Sequence, residues 1–466
     1  MRVSPLGRSQ VLTPPCPGTI MRLRFGLLIM ASALACSGKG TSDAITPPVV
    51  PTDTTPTGPV QRTSYSVRVS IDPADAALAG TAGVSVSGLT VRLTKAGSTN
   101  PPSNATTNAN GEVTFSNLLD GLYTASVERT LTADEVARLP ATERDASVFA
   151  GGVTTPVSPP NAPTANLTLV AARRGSLVIS EFFSYFGYPI PYNWGSYVEI
   201  YNNSDTTAYL DGMYLAFTSW GLQHTDSYAA CEDALYRQVR QDTSRLWLTG
   251  GIRFPGSGRD FPVFPGTALV YAPDALDHRA ASGRDDFPDL SRATFEHVGL
   301  SSDTDNPLAS NVSGAFYPTT GTNGRGVRIV GKNSWALLRR DAEGMIEKLT
   351  LPPIKPTPPG GVPRTDVDFF GVPKEYVLDV FSVDMTPSYR AYLASTSFSF
   401  IQCTPWLPGT FEFAPAELYD ETYRPGAIRR RSLGRTAEGR DIVMRTRTSA
   451  RDLEVTTNLL QRSLNK

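Results

Sequence analysis

The feature that most constrains this chain is the way its apolar residues fall in short alternating runs, each stopped by glycine, proline, asparagine or aspartate. SYSVRVSI (64–71), GLTVRLTK (88–95), GEVTFSNL (111–118), GLYTASVE (121–128) and ANLTLVA (165–171) form one set. A second set holds SLVISEFF (176–183), SYVEIYNNSD (196–205), LDGMYLAF (210–217), FPGTALVYA (264–272), SWALLRRDAEGMIEKLTL (334–351), YVLDVFSV (376–383) and AIRRRSLGR (427–435). A period of two is that of a strand with one face buried, and the intervening turn residues break the chain before a helix can form. An all-β fold is therefore expected, and Gly 39 with Pro 38 agrees with it. Lys+Arg 43 against Asp+Glu 44 leaves a net charge of -1, so no global field draws the chain to nucleic acid or an acidic membrane surface.

The amino-terminal region reads as an export signal. From Met21 the sequence MRLRFGLLIMASALAC has two arginines, an apolar run over 25–34 and small residues up to Ala35. Residues 1–35 are accordingly assigned to a signal region with Met21 as its start. The apolar run is too short for the roughly twenty helical residues that span a bilayer. Cys36, directly after the small residues, resembles the cysteine of a bacterial lipobox, although Ala33 stands where that motif prefers leucine; lipidation of Cys36 is the leading outcome, with simple secretion and no export at all as the alternatives. Residues 36–62 form a Pro/Thr-rich tether with little to bury. In an oxidising compartment Cys231 and Cys403 could close a loop of about 170 residues, worth on the order of 5 kcal/mol. Two buried, unpaired thiols are the alternative.

The first set of runs lies within residues 63–172. Asn110-Gly111 marks a tight turn and Asp120-Gly121 a second corner, so the runs 111–118 and 121–128 read as hairpin strands. The residues Asn110, Gly111, Phe115, Leu118, Gly121 and Tyr123 resemble the pattern of prealbumin-like modules, as in carboxypeptidase regulatory domains. That resemblance implies a small β-sandwich that spaces or stabilises, with residues 132–145 as an insertion holding a short helix.

The second set lies within 174–462. Here ISE (179–181), VEIYNN (198–203), LDG (210–212), the Pro265-Gly266 turn, LLRRD (337–341) with Glu343-Gly344, and SLGR (432–435) resemble the lamin-tail domain, which implies a larger, elaborated immunoglobulin-like sandwich. FPGSGRDFPVFPGTALVYAPDALDH (254–278) and DTDNPLASN (303–311) resemble the domain of unknown function 4876. That family implies an envelope lipoprotein with an amino-terminal prealbumin-like module; it implies no reaction.

Chemistry has few footholds. Glu181 and Glu199 fall on neighbouring predicted strands, and paired carboxylates are what glycoside hydrolysis uses. In a lamin-tail-like frame, however, they are structural groups that accept backbone or hydroxyl hydrogen bonds. His224, His278 and His297 show no close metal spacing and read as loop or surface residues. No G-x-S-x-G elbow occurs. Asp285, Asp286, Asp289 and the run 303–306 offer hard oxygen ligands, which leaves structural calcium as the single cofactor to consider, without the glycine and distal glutamate of an EF-hand. Arg429-Arg430-Arg431 sits on a strand, where the middle side chain faces away from its neighbours, so it forms no basic patch. The segment FSYFGYPIPYNWGSY (183–197) carries Tyr185, Phe186, Tyr188, Tyr192 and Trp194, stiff aromatic area suited to a glycan, a peptide or another protein.

The expectation is a lipid-anchored protein of the bacterial cell envelope, at the outer membrane. It would be non-catalytic, bind a ligand or partner, and possess no nucleic-acid role; an accessory function beside an outer-membrane transporter in nutrient uptake is implied by family type alone. The alternative is a secreted hydrolase with its site in the loops 220–311.

Overall fold

The structure is a computed structural model. It describes residues 60–144, 146–172, 175, 177–183, 195–218, 242, 244–248, 250–297, 305–316, 334–351, 367–381, 383–384, 416–417, 427–436, 438–446, 449–460 and 462–463. Cys36 and the tether up to residue 59, the aromatic segment with Tyr185, Phe186, Tyr188, Tyr192 and Trp194, and Cys231, Cys403 and His224 lie outside the described residues.

The first body is built from β1 (Thr63–Ile71), β2 (Thr90–Lys95), β3 (Ser103–Thr106), β4 (Glu112–Leu118), β5 (Gly121–Thr130), β6 (Val148–Val157) and β7 (Thr164–Ala172), in the order β3-β2-β5-β6-β7-β1-β4. Strand β7 serves two sheets: residues 164–169 run parallel to β1, while residues 170–172 pair antiparallel with β6. Such a switching strand makes the corner of a sandwich. Between the layers lie Tyr65, Val67, Val91, Leu93, Phe115, Val127, Phe149, Leu167 and Leu169. The insertion expected over 132–145 holds one short helix, α2 (Ala133–Arg138), after β5; a further helix, α1 (Ala76–Ala82), which the sequence analysis did not anticipate, lies between β1 and β2. A capping box starts α2: Thr132 Oγ1 accepts the Glu135 N–H at 3.3 Å and the Glu135 carboxylate accepts the Thr132 N–H at 2.7 Å.

One expectation fails here. The runs 111–118 and 121–128 are not a hairpin: β4 pairs with β1, whereas β5 pairs with β2 and β6. The connector bends the chain across the core instead of folding it back. Asn117 takes a φ of 61° and Gly121 a φ of 152°, and Tyr123 Oη donates to the Leu119 carbonyl at 3.0 Å.

The second body holds β8 (Leu177–Phe183), β9 (Tyr197–Asn202), β10 (Ala208–Tyr209), β11 (Tyr214–Thr218), β12 (Arg245–Leu248), β13 (Gly250–Arg253), β14 (Pro262–Val263) and β15 (Ala268–Tyr271). After the helix α3 (His278–Ser282) come β16 (Phe295–His297), β17 (Ser310–Phe316), β18 (Ser334–Leu338), β19 (Glu347–Leu351), β20 (Val367–Pro373) and β21 (Val377–Phe381). The chain closes with β22 (Val383–Asp384), β23 (Ala416–Glu417), β24 (Ala427–Arg430), β25 (Ser432–Arg435), β26 (Asp441–Val443), α4 (Ser449–Asp452) and β27 (Leu453–Thr456). Eleven of these strands form one curled sheet, β21-β18-β11-β13-β17-β16-β15-β9-β8-β24-β27, in which β17 is the turning strand, paired with β13 on one side and β16 on the other. Inside the curl lie Ile179, Phe182, Val198, Ile200, Leu210, Leu215, Ile252, Phe295, Trp335, Leu337, Phe381 and Ile428. The all-β expectation, a small sandwich followed by a larger one, is what the strands form.

The two bodies belong to one compact unit, residues 60–466. Val148, Ala150, Val170 and Ala172 of the first share a buried cluster with Leu433, Ile442 and Met444 of the second. Beside it, Arg451 reaches Asp72 at 2.8 Å and Asp75 at 3.0 Å.

Candidate functional site

Where β21 approaches β8, the curl is closed by side chains. Arg430 is the centre: Nε donates to the Ile179 carbonyl at 2.9 Å, Nη1 to Asp452 Oδ2 at 3.0 Å, and Nη2 to Asp379 Oδ2 at 3.0 Å and the Val380 carbonyl at 2.9 Å. Asp379 also accepts the Ile179 N–H at 2.9 Å and Arg445 Nε at 3.0 Å. All these side chains are buried, and Arg430 is the middle arginine that alternation turns inward. Arg429 pairs with Glu454 at 2.9 Å and Arg431 Nε bonds the Leu453 carbonyl, so the triplet is dispersed, as its strand position requires.

Glu181 stands opposite Glu199 in the β8–β9 register, next to a bulge at Ser180. Both carboxylates are fully buried. Glu181 accepts the Tyr197 hydroxyl and the Leu460 N–H, the latter at 2.8 Å; Glu199 accepts the Ser180 hydroxyl at 2.7 Å. Burial, together with the neighbouring Glu199 charge, pushes the Glu181 carboxyl up to about 7. Burial also raises Glu199, against the pull of Arg462. At neutral pH such a pair shares protons instead of carrying two charges. Leu460, Arg462 and Ser463 bond to it or act on its charge.

The histidines depart from expectation. His278 is fully buried in α3 with Nε2 2.9 Å from the Asp274 carbonyl oxygen, and His297 is buried in β16; burial lowers the pKa of both. Each sits in a segment whose inward face was not legible from a three- to five-residue element. The aspartates considered for calcium do not converge either. Asp286 is held by Arg284, Asp289 by Arg279 and Ser291, and Asp305 by Asn311. Among the described residues, no group of three or more His, Cys, Asp or Glu side chains is placed to hold a metal ion.

An open cleft of about 290 Å³ lies elsewhere, lined by Asp211, Gly212, Arg253, Gly256, Ser257, Gly258, Arg340 and Asp341. Its floor is the loop 254–261. Asp211 organises that loop from beneath, accepting N–H groups from Gly258 (2.9 Å), Asp260 (2.7 Å) and Phe261 (2.9 Å). Burial works against the Asp211 charge, but those three donors outweigh it and hold its carboxyl below the usual range. The loop depends on glycine at two points. Gly256 has a φ of 111°, and a side chain there would meet Asp211 Oδ1 at 2.3 Å; Gly258 has a φ of 132° with Arg340 Nη1 alongside. Phe254 and Phe261 clamp the loop ends onto Phe295, with ring centroids 4.8 Å away on each side.

The walls of the cleft are cationic. Arg253 leaves the end of β13 and lies over the Tyr214 ring at 5.7 Å, with Nη2 3.4 Å from an exposed Glu343. Arg340 opens the 3₁₀ turn 340–345 and is exposed. Asp341 is occupied by Arg339, at 3.0 and 2.9 Å. In the sequence, LDG (210–212) and LLRRD (337–341) carry only a resemblance to the lamin-tail domain and nothing points to Arg253; the signal present is the unusual GSGRD beside a strand end.

No protein-family model matches the chain, and no curated protein matches it in sequence. Among solved structures, it is similar to a DUF4876 family protein from Bacteroides thetaiotaomicron, at 16% identity and a TM-score of 0.47, covering 86% of this chain and 97% of that one. A DUF3823 family protein from Parabacteroides merdae is similar at 12% identity and a TM-score of 0.15, over 46% of this chain and 82% of that one. A streptococcal ancillary pilin is similar at 11% identity and a TM-score of 0.15, over 55% and 62%.

Proposed function

We propose that this is an exported protein, held at the bacterial cell envelope by a lipid on Cys36, that binds a ligand or partner there without acting on it chemically. The export signal over 21–36 and the tether behind it support the address. In this reading residues 63–172 are a prealbumin-like spacer and residues 174–462 a lamin-tail-like binding body, and the motifs over 254–278 and 303–311 support kinship with DUF4876 lipoproteins. Service to an outer-membrane transporter fits that address.

One observation carries binding over hydrolysis. The carboxylate pair best suited to acid–base work, Glu181 with Glu199, is enclosed at 0% exposure, whereas the open cleft presents guanidinium groups above a loop of backbone. A hydrolytic pair must reach its substrate. The rival, a hydrolase in the loops 220–311, draws no support from Asp277, Asp286 and Asp289, which are spent on arginines or on helix capping.

Envelope fractionation of wild type and Cys36→Ser, followed by affinity capture from detergent-solubilised envelopes, tests this. Wild type is expected in the membrane fraction with a co-purifying protein or glycan, and Cys36→Ser in the soluble fraction. Unchanged fractionation would remove the lipid anchor, and release of cleaved product from envelope polymer would remove the non-catalytic reading.

A further inference from the structure

We infer that the cleft between Arg253 and Arg340 recognises an oxyanion, a carboxylate, sulfate or phosphate group carried on the ligand; this deepens the binding reading above and rests on it. The inference follows from which hydrogen-bonding capacity is already used. Both carboxylates that line the cleft are committed: Asp211 to three backbone N–H groups of the loop, Asp341 to the paired nitrogens of Arg339. Ser257 is committed as well, its hydroxyl donating to Asp260 Oδ2 at 2.8 Å. The donors at the cleft that none of these contacts uses are those of Arg253 and Arg340.

Arg340 forms no ion pair among the described residues. The only carboxylate paired with Arg253 there is Glu343, at 3.4 Å and with its own side chain 66% exposed, so a ligand can displace it; Arg253 Nε is buried with no acceptor. The two arginines stand either side of one glycine. A side chain on Gly212 would meet Arg253 Nη2 and Arg340 Cβ at 3.6 Å each, and one on Gly258 would meet Arg340 Nη1 at 3.3 Å, so both arginines line the one cleft. Guanidinium forks match oxyanions in plane and in charge, and they gain strength where two act together. The frame beneath is pre-organised by Asp211 and by the Phe254–Phe295–Phe261 stack, so binding orders little that is not already ordered.

The test is isothermal titration calorimetry on the full chain with four probes: inorganic phosphate, an oligogalacturonide (carboxylate), a heparin tetrasaccharide (sulfate) and glucose as a neutral control. Saturable binding of at least one anionic probe and none of glucose is expected. Arg340→Gln and Arg253→Gln should each weaken it by roughly tenfold or more, the loss of one charge-assisted contact. Arg340 is exposed, so Arg340→Gln folds as wild type does, which thermal melting checks. The probe that binds identifies the oxyanion source. Absence of saturable binding, wild-type affinity retained in either variant, or an equal loss in the remote Arg68→Gln would overturn the inference. Envelope capture that persists without anion binding would remove this inference alone, and anion binding by a chain that is not anchored would remove the address alone.

Discussion

Arg430 shows what a single residue does in this fold and how far sequence could see it. Alternation along β24 turns the middle of three arginines inward, which the triplet itself discloses. Its partners, Asp379 on β21 and Asp452 at the end of α4, are 51 and 22 positions away, and nothing local points to them. Asp379→Ala would leave two buried guanidinium groups and the Ile179 N–H short of an acceptor, and is expected to cost about 3–5 kcal/mol in urea unfolding. A loss below ~1 kcal/mol would mean that the curl closes without this network. Glu181 gives a prediction in pH. Unfolded, its carboxyl ionises at the usual 4.5; folded, it holds its proton up to about 7. The stabilisation from that proton is complete below 4.5 and is lost as pH rises through 7, because above it the buried pair must carry charge. Wild type should therefore lose ~2 kcal/mol between pH 5 and 8 relative to Glu181→Gln, which keeps the uncharged form at all pH. Parallel stability profiles for the two would contradict this.

At the scale of elements, the sequence distinguished strands from loops but not what each loop does. The hairpin expected over 111–128 is instead a crossing between layers, because alternation reports which face of a strand is buried and not which strand lies beside it. The loop 254–261 is held by three N–H groups on Asp211 and by Phe254 and Phe261 against Phe295. Asp211→Ala should cost about 2 kcal/mol through three orphaned N–H groups. Hydrogen exchange should accelerate at Gly258, Asp260 and Phe261 and stay unchanged in β13. Protection that survives the substitution would assign the loop's order to the Phe254 and Phe261 stacking alone.

For the whole molecule, the junction matters most. A module read as a spacer is joined to the larger body by the apolar seam of Val148, Ala150, Leu433, Ile442 and Met444, and by Arg451 on Asp72 and Asp75. Motion of the first body against the second is therefore opposed by burial, and the cleft rides on a stiff frame. Leu433→Asp puts a carboxylate into the seam at a cost of about 3 kcal/mol and is expected to split one calorimetric transition into two. A single transition at an unshifted temperature would show that the seam does not couple the bodies.

By itself the sequence determined the all-β class, the order of a small sandwich before a larger one, and the neighbouring placement of Glu181 and Glu199. Those properties are local, set by period, turn residues and adjacent strands. Only the tertiary structure decided that the glutamates are buried with Leu460, Arg462 and Ser463 beside them, that Asp211 builds a loop, and that Arg253 and Arg340 share a cleft. Each of these depends on groups far apart in the chain being brought to one place by the curl of the sheet. Burial and pairing at that distance are properties of the packed molecule, and no short pattern encodes them.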